Sequence, residues 1–99
     1  MVNEQHQITQ VSIDLIDDPT LAMRTELEIE PLQELAADIK RNGLIEPIIL
    51  RVSGDRFEVV AGHRRTAACK IAGLIKISAI VKTLTDDQAL AIKVSENFS

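Results

Sequence analysis

The 99-residue sequence is poor in cysteine and in aromatic residues. Its one cysteine, Cys69, excludes an intramolecular disulfide and a metal site built from several cysteines. Trp and Tyr are absent, which removes two of the side chains that stack on the bases of single-stranded nucleic acid. No apolar run exceeds a few residues, so the sequence offers no membrane span or signal-peptide core. We therefore expect a cytoplasmic protein without a membrane partner.

The composition favours one folded domain. Hydrophobic residues make up 45% of the chain and charged residues 26%, a balance typical of globular proteins rather than disordered tails. A chain of this length buries roughly two-thirds of its unfolded surface when it folds. We expect residues 1–10, which show no periodicity, to form a flexible lead-in to a domain spanning residues 11–99.

Charge is distributed unevenly along the chain. The net charge of −4 argues against a protein that grips nucleic acid with its whole surface. Between Glu58 and Asp86, however, there is no carboxylate, and five basic residues lie there: Arg64, Arg65, Lys70, Lys76 and Lys82. Solvated basic residues would give the same count, whereas a clustered arrangement would suit an anionic ligand. Together with the motif described below, we interpret this stretch as one wall of a phosphate pocket.

Hydrophobic periodicity predicts alternating strands and helices. The predicted strands span residues 11–15, 48–52, 57–60 and 75–81, and the predicted helices span residues 31–42, 62–73 and 86–97. Asp17-Asp18-Pro19 ends the first strand, and Ser53-Gly54-Asp55 predicts a hairpin turn between the second and third strands. We expect Ala68, Ile71 and Ala72 to face inward from the second helix. Thr85 followed by Gln88 is a capping-box pattern that marks the start of the third. Short connections between these elements indicate an α/β or α+β domain.

The stretch Gly62-His63-Arg64-Arg65-Thr66 carries the clearest functional signal, because an apolar strand ends there and a helix begins. Helix N-termini bind anions through unpaired backbone N–H groups and a partial positive charge. Gly62 would let a ligand approach the backbone, the two arginines match phosphate oxygens, and Thr66 offers a hydroxyl. The alternative is an exposed helix start with solvated arginines.

An ordered series of motifs resembles the ParB N-terminal domain family, also described as ParB/sulfiredoxin-like or as the ParB-like nuclease domain. Residues 62–74 resemble the family's glycine-glutamate-arginine-arginine box, and residues 57–62 resemble the strand that enters it. Residues 32–39 resemble its first helix. Residues 43–48 followed by Arg51 resemble its "G-x-x-Q-P-I…V-R" segment, and Glu96-Asn97 resembles the start of its "E-N-x-Q-R" motif. The resemblance covers residues 11–98.

The resemblance implies an α+β fold of the ParB/sulfiredoxin type, with a small mixed sheet and the order β-α-β-β-α-β-α. It also implies a domain that binds CTP with Mg²⁺ and acts as a nucleotide-gated module in chromosome or plasmid partition. Arg64 and Arg65 would hold the triphosphate together with Gly62, His63 and Thr66. Glu96 would position the metal, and Asn97 would contact phosphates or ribose. Arg24 stands roughly at the arginine of the family's "Q-P-R" segment and would be a further nucleotide contact.

The chain departs from the family pattern at the residue assigned to nucleotide hydrolysis. The box glutamate is His63 here, and the third arginine of the box is Ala67. A neutral imidazole cannot replace a metal-facing carboxylate, although it can bond a phosphate or act as a base. We therefore expect at most weak CTP hydrolysis, with His63 and Glu96 as candidate catalytic residues. Alternatively, His63 caps the helix, and Glu96 and Asn97 are solvated helix-end residues.

Three other functions remain open. The first is a nuclease or a nucleotide-dependent phosphotransferase of the same fold. The second is a sulfiredoxin-like reductase, which we disfavour because Cys69 lies two helical turns beyond the glycine, where packing as a small hydrophobe is expected. The third is an interaction domain that uses the acidic residues Glu26, Glu28, Glu30, Glu34 and Asp38. For the favoured function we expect DNA contact only through a downstream domain or a partner, and possible homodimerisation on nucleotide binding.

Overall fold

The computed structural model describes residues 7–18, 26–43 and 46–97, and the side chains of all of these except residues 26–30 and 96–97. In chain order the elements are β1 (Ile8–Ser12), a 3-10 turn (Ile13–Leu15), β2 (Ile16–Asp17), α1 (Glu26–Asn42), β3 (Ile48–Ser53), β4 (Arg56–Ala61), α2 (His63–Ile71), β5 (Lys76–Lys82) and α3 (Asp86–Asn97). The α+β fold class is confirmed.

The strands form one mixed five-stranded sheet in the order β1-β5-β3-β4-β2. β1 pairs with β5, and β3 with β4, in antiparallel register. The pairs β3–β5 and β2–β4 are parallel. The predicted hairpin at Gly54 joins β3 to β4. Gly62 and α2 follow the end of β4 directly, so the hairpin sets the position of the candidate phosphate site.

The predicted first strand, residues 11–15, is wrong in its boundaries. The strand β1 begins earlier, at Ile8, so residues 8–10 of the predicted lead-in belong to the sheet. Residues 8–12 pair with residues 76–80 of β5, a long-range partner that local composition does not reveal. The 3-10 turn then interrupts the strand, and β2 pairs with β4 at the opposite edge of the sheet. Val11 and Ile16, on either side of the turn, are both buried.

The first helix also begins earlier than predicted. It runs from Glu26, so Pro31 lies inside α1 rather than at its first turn. Proline is most common at the first helical position, which is why the sequence pattern placed the start there. Pro31 has no backbone N–H and therefore removes one hydrogen-bond donor from the helix. Its side chain is exposed, so Pro31 lies on the solvent-facing side of α1. The end at Asn42-Gly43 is confirmed, with Gly43 at φ 79°.

The main apolar core lies between one face of the sheet and the two helices α1 and α2, which pack against each other. The buried side chains of this cluster are Val11, Ile16, Leu32, Ala36, Ile39, Ile48, Leu50, Val59, Ala67, Ala68, Cys69, Ile77 and Ala79. From α2, the inward position of Ala68 is confirmed, and Ala72 packs against the cluster. Ile71 was predicted to face inward and is 47% exposed, because it is the last residue of α2 and lies outside the buried stripe.

The third helix, α3, packs against β4. Its predicted capping box is confirmed: the Gln88 backbone N–H donates to Thr85 Oγ1 at 3.1 Å, and the Thr85 N–H donates to Gln88 Oε1 at 3.0 Å. In the described ranges of the chain, no helix is both long and apolar enough to cross a membrane.

Candidate functional site

Gly62 connects β4 to α2 in a left-handed backbone conformation, with φ 92° and ψ 35°. A Cβ atom at this position would lie 2.7 Å from Ile48 Cγ2 on the adjacent strand β3. The residue is also buried. Both the backbone conformation and the contact with Ile48 therefore require glycine, whereas the sequence interpretation had assigned the missing Cβ to ligand approach.

Thr66 supports the start of α2 from inside the protein. Its side chain is fully buried, and its Oγ1 donates a hydrogen bond to the Gly62 carbonyl at 2.9 Å. The Thr66 backbone N–H donates to the same carbonyl at 2.8 Å. This differs from the prediction that the Thr66 hydroxyl faces a phosphate. The hydroxyl is used within the fold, because a buried donor needs a partner.

Arg64 is the exposed arginine of the motif. Within the part of the chain that the structure describes, its guanidinium makes no hydrogen bond and no ion pair. It lies in the first turn of α2, where a cation is unfavourable next to the positive end of the helix dipole unless an anion is close by. Arg64 therefore has the geometry and exposure of a residue that can hold an anionic ligand.

Arg65 is bound to the connection between α1 and β3. Its Nη1 donates to the Pro47 carbonyl at 3.1 Å and to the Glu46 carbonyl at 3.4 Å, and its Nη2 lies 3.8 Å from the Glu46 carboxylate. The side chain is 35% exposed, and that of Glu46 is 78% exposed. The two neighbouring arginines thus differ: Arg65 links α2 to residues 46–47, while Arg64 faces solvent.

His63 pairs with a carboxylate that the sequence did not identify. Its Nδ1 lies 3.1 Å from Asp18 Oδ1; the His63 side chain is 15% exposed and that of Asp18 is fully buried. When the carboxylate accepts from Nδ1–H, Nε2 becomes the acceptor nitrogen of the neutral imidazole. Asp18 had been interpreted only as part of the Asp-Asp-Pro end of the first strand. The partners are 45 residues apart, and only the closeness of β2 to β4 brings them together.

Arg56 fixes β2, the strand that ends one residue before Asp18. The Arg56 guanidinium binds the Asp17 carboxylate, with its closest contact at 2.9 Å, and donates to the Asp14 carbonyl at 2.8 Å. The hydrogen bond from Arg56 lowers the pKa of Asp17 below its ordinary value, and the same bond raises that of Arg56. Arg56 thereby holds β2 against the first half of β4, next to Asp18 in sequence.

The remaining predicted site residues are described in part or not at all. Glu96 and Asn97 occupy the end of α3, and their side chains lie outside the described part of the structure. Arg24 also lies outside the described residues. Among the side chains that the structure does describe, no group of three or more His, Cys, Asp or Glu residues could hold a metal ion.

The sequence predicts that the basic stretch between Glu58 and Asp86 forms one wall of a phosphate pocket, but its side chains are spread over the structure. Lys76 and Lys82 lie at opposite ends of β5, separated by six residue steps, or about 20 Å along an extended strand. The stretch is also not free of acid in space, because Asp18 approaches it from β2. The positive charge available at the start of α2 is therefore that of Arg64 and Arg65.

Cys69 is fully buried in the main core, as its predicted role as a small hydrophobe requires. Burial raises the pKa of its thiol to about 11, an effect only partly opposed by the charge of Arg65. A neutral, inaccessible thiol is a poor nucleophile. The structure therefore gives no support to the reductase alternative.

The fold and the strand–glycine–helix site define a small α+β domain of the ParB/sulfiredoxin type. The ParB N-terminal domain model matches residues 2–98 of the chain. A probable chromosome-partitioning protein ParB of Neisseria meningitidis serogroup A is 42% identical over 92 residues, covering 92% of this chain. The chain belongs to the ParB N-terminal domain family. It spans 32% of the length of that relative.

Solved structures show the same relationship. ParB of Caulobacter crescentus, C-terminally truncated and complexed with CTP-γ-S, superimposes with a TM-score of 0.79 at 29% identity, over 92% of this chain and 52% of that one. The same protein complexed to the centromeric parS site gives 0.72 at 28% identity, over 90% and 46%. Sulfiredoxin of Arabidopsis thaliana gives 0.71 at 21% identity, over 87% and 96%, a similarity of fold alone.

Proposed function

We propose that this domain binds CTP at the start of α2 and acts as a nucleotide-responsive module in chromosome or plasmid partition. The observation that carries the proposal is the strand–Gly62–helix junction, with Arg64 exposed in its first turn. Backbone N–H groups at a helix start, together with an arginine fork, are donors suited to phosphate oxygens. The Caulobacter ParB structure complexed with CTP-γ-S, which has the same fold, supports CTP as the nucleotide.

Within this proposal the motif residues have separate roles. Arg64 binds the triphosphate directly. Arg65 binds it while remaining linked to residues 46–47, or exchanges that link for a phosphate oxygen. Arg24 and Asn97 are proposed as further nucleotide contacts, on the strength of their resemblance to family motifs alone. Gly62 and Thr66 act by shaping the start of α2.

Mg²⁺ is proposed to accompany the triphosphate. The described side chains provide no ready-made cage of carboxylates or imidazoles. Mg²⁺ does not need one, since it commonly binds one or two protein carboxylates together with substrate phosphates and waters. Glu96 is the proposed protein ligand. When bound, the ion neutralises phosphate charge.

Slow hydrolysis of the bound nucleotide is a second candidate function, favoured by the Asp18–His63 pair. Hydrolysis requires a group that takes the proton of the attacking water, and a buried carboxylate on Nδ1 prepares the imidazole to accept that proton at Nε2. Asp18 is then a positioning residue for His63. The nuclease and phosphotransferase alternatives have no comparable support in the described residues.

The biological setting is proposed from the relatives. They are partition proteins of bacteria, so we place this chain in the bacterial cytoplasm, at the nucleoid or a plasmid. The Caulobacter relative was solved on parS DNA, and the domain that this chain matches over residues 2–98 is the N-terminal one of the family. We therefore propose that DNA is reached through a further domain or a partner, and that nucleotide binding promotes pairing of two copies.

Isothermal titration calorimetry with CTP and Mg²⁺ tests the proposal. We expect saturable 1:1 binding, and we expect Arg64→Ala to weaken it at least about tenfold, the loss of one charge-assisted phosphate contact. Arg41→Ala is the matched control, because Arg41 is also an exposed helical arginine but lies in the last turn of α1.

The variants must retain the wild-type circular dichroism spectrum, so that a loss of binding is not a loss of fold. Absence of heat with CTP and with the other nucleoside triphosphates in the folded wild type would refute the proposal. Equal weakening by Arg64→Ala and Arg41→Ala would move the site away from α2.

A further inference from the structure

The two faces of the sheet are covered in different ways. The face under α1 and α2 carries the main apolar core. The face under α3 includes Val60, which alternates with the core residue Val59 along β4. Val60 and Ala89 of α3 are fully buried or nearly so, and neither belongs to the main core. On α3, Leu90 and Val94 are 59% and 45% exposed and Ile92 is half-buried, so Ala89 is the one fully covered apolar side chain among the described side chains of this helix.

Charged side chains occupy the rest of the interface between α3 and the sheet. We call Arg51, Glu58, Asp86 and Lys93 the Glu58 cluster. Arg51 Nε lies 2.7 Å from Glu58 Oε1, and Lys93 Nζ lies 3.4 Å from the same oxygen. Arg51 Nη1 also donates to Asp86 Oδ1 at 2.8 Å. The cluster thus joins both strands of the hairpin to both the first turn and the middle of α3.

The ion pairs at the centre of this cluster are shielded from water. Side-chain exposure is 18% for Arg51, 23% for Glu58 and 29% for Lys93, whereas Asp86 at the rim is 95% exposed. Lys93 lies four residues after Ala89, on the side of α3 that faces the sheet. Such a lysine is tolerated when its ammonium group is paired. Glu58 is therefore the carboxylate that two cations, Arg51 and Lys93, share at this interface.

β4 and α3, which carry Glu58 and Lys93, also carry residues near or within the proposed nucleotide site. Glu58 precedes Gly62 by four residues on β4, about 13 Å along the strand. Glu96 and Asn97 follow Lys93 by three and four residues, so their backbone positions fall one turn further along the same stripe of α3. The Glu58–Lys93 pair therefore joins the strand that precedes Gly62 to the helix that ends at Asn97.

We propose that Glu58 and Lys93 are positioning residues, which hold α3 on the sheet and thereby place Glu96 and Asn97 relative to the phosphate site at Gly62. This inference rests on the proposed function, because it assigns the cluster a role in nucleotide affinity. Pairing, rather than apolar burial, sets the position of α3. Loss of Glu58 leaves the Lys93 ammonium at a half-buried interface without this carboxylate, whereas loss of Lys93 leaves Glu58 bound to Arg51 but removes the link to the middle of α3; either change releases the helix.

The experiment uses the full chain and four variants. Glu58→Gln and Lys93→Met each remove the pair with little change in side-chain size. Lys93→Arg keeps the positive charge and serves as the conservative rescue. Asp38→Asn is the matched control, because it removes an exposed ion pair with Arg41 on α1, away from the cluster. Amide hydrogen exchange of α3 and the Kd for CTP with Mg²⁺ are measured for each.

We expect Glu58→Gln and Lys93→Met to accelerate exchange in residues 89–95 at least about tenfold, while residues 66–69 of α2 remain protected. The Kd for CTP should rise about five- to tenfold in the same two variants. Lys93→Arg and Asp38→Asn should behave like the wild type in both measurements. In the wild type, added salt should also speed exchange in α3 more than in α2.

Unchanged α3 exchange in Glu58→Gln and Lys93→Met would overturn the proposal, as would a Lys93→Arg variant that behaves like Lys93→Met. Faster exchange with an unchanged Kd would refute the positioning role and leave the proposed nucleotide binding intact. If the wild type binds no CTP, the proposed function and the positioning role both fail. The exchange data then still decide whether the cluster anchors α3.

Discussion

Neighbouring side chains at the start of α2 have different roles. Gly62 and Thr66 face inward and build the helix start, Arg65 binds residues 46–47, and Arg64 is exposed. His63 is held by the buried carboxylate of Asp18. A motif that the sequence presents as one ligand-binding unit is therefore divided between support of the fold and contact with a ligand. Substitutions should separate the two.

Gly62→Ala tests the support of the fold. The left-handed backbone costs an alanine roughly 1–2 kcal/mol, and its Cβ would also displace Ile48. We expect a loss of about 3 kcal/mol in the free energy of unfolding. Gly73→Ala is the matched control: φ is 77° there too, but the Cβ would meet nothing within 4 Å. It should cost only the backbone contribution, roughly 1–2 kcal/mol.

Urea denaturation followed by circular dichroism measures both variants, since the chain has no Trp or Tyr for fluorescence. Equal losses in Gly62→Ala and Gly73→Ala would show that the contact with Ile48 carries no weight.

Cys69 gives a prediction about alkaline pH. Its thiol has a folded pKa of about 11 against an ordinary value of 9.0, because it is buried. The folded state therefore disfavours the thiolate, so this contribution to stability is complete below pH 9 and is lost between pH 9 and about 11. We expect the wild type to lose about 1–2 kcal/mol more than Cys69→Ala across that window.

The difference between the two unfolding free energies isolates the thiol, because the lysines titrate in both proteins. Parallel pH profiles of wild type and Cys69→Ala would contradict the prediction, and so would rapid alkylation of the native protein at neutral pH.

At the scale of elements, α2 is joined to its surroundings at both sides of its first turn. Arg65 links it to the α1–β3 connection, and Asp18 links it to the end of β2. Both links come from segments distant in sequence, and both converge on the place where the phosphate is proposed to bind. We therefore expect a bound ligand to stabilise these two connections, and the connections in turn to favour ligand binding.

Arg65→Gln and Arg64→Gln together test whether the Arg65 link stabilises the fold, since the two residues are neighbours but only Arg65 makes this link. Arg65→Gln removes hydrogen bonds to two backbone carbonyls, so we expect it to lower the free energy of unfolding by about 1 kcal/mol. Arg64→Gln should change stability by less than about 0.5 kcal/mol, because its side chain is exposed. Thermal and urea unfolding of the two variants in the absence of nucleotide provide the comparison.

Equal stability of the two arginine variants would mean that the Arg65 link to residues 46–47 contributes nothing to the fold. A greater loss in Arg64→Gln would reverse the assignment of the two arginines.

Much of the element order could be predicted because its signals are local. The capping box at Thr85 and the hairpin at Gly54 depend on residues within a few positions of each other, and both are found in the structure. Other features could not be predicted in this way. The strand at Ile8 and the Asp18–His63 pair depend on partners distant in sequence. The early start of α1 depends on a proline that is tolerated inside the helix. Such features are decided by tertiary structure, which periodicity does not describe.

At the scale of the whole molecule, net charge describes the protein poorly. The overall value of −4 disfavours a nucleic-acid surface, and the acid-free stretch of sequence is dispersed along β5 and α2. What remains is a local arrangement: two arginines at one helix start, a buried Asp–His pair beside them, and a charged cluster beneath α3. The two arginines and the Asp–His pair lie at one junction, where β4 passes through Gly62 into α2.

The location of the nucleotide is the most direct test of this description. A titration of isotope-labelled protein with CTP and Mg²⁺, followed by two-dimensional NMR of the backbone amides, reports on every part of the fold at once. We expect the largest shifts at the amides of residues 62–65, with smaller ones in the last turn of α3, and in Arg64→Ala we expect these shifts to need at least about tenfold more nucleotide. Shifts concentrated at the β1 edge of the sheet, or no shifts at saturating nucleotide, would contradict the assignment of the start of α2 as the binding site.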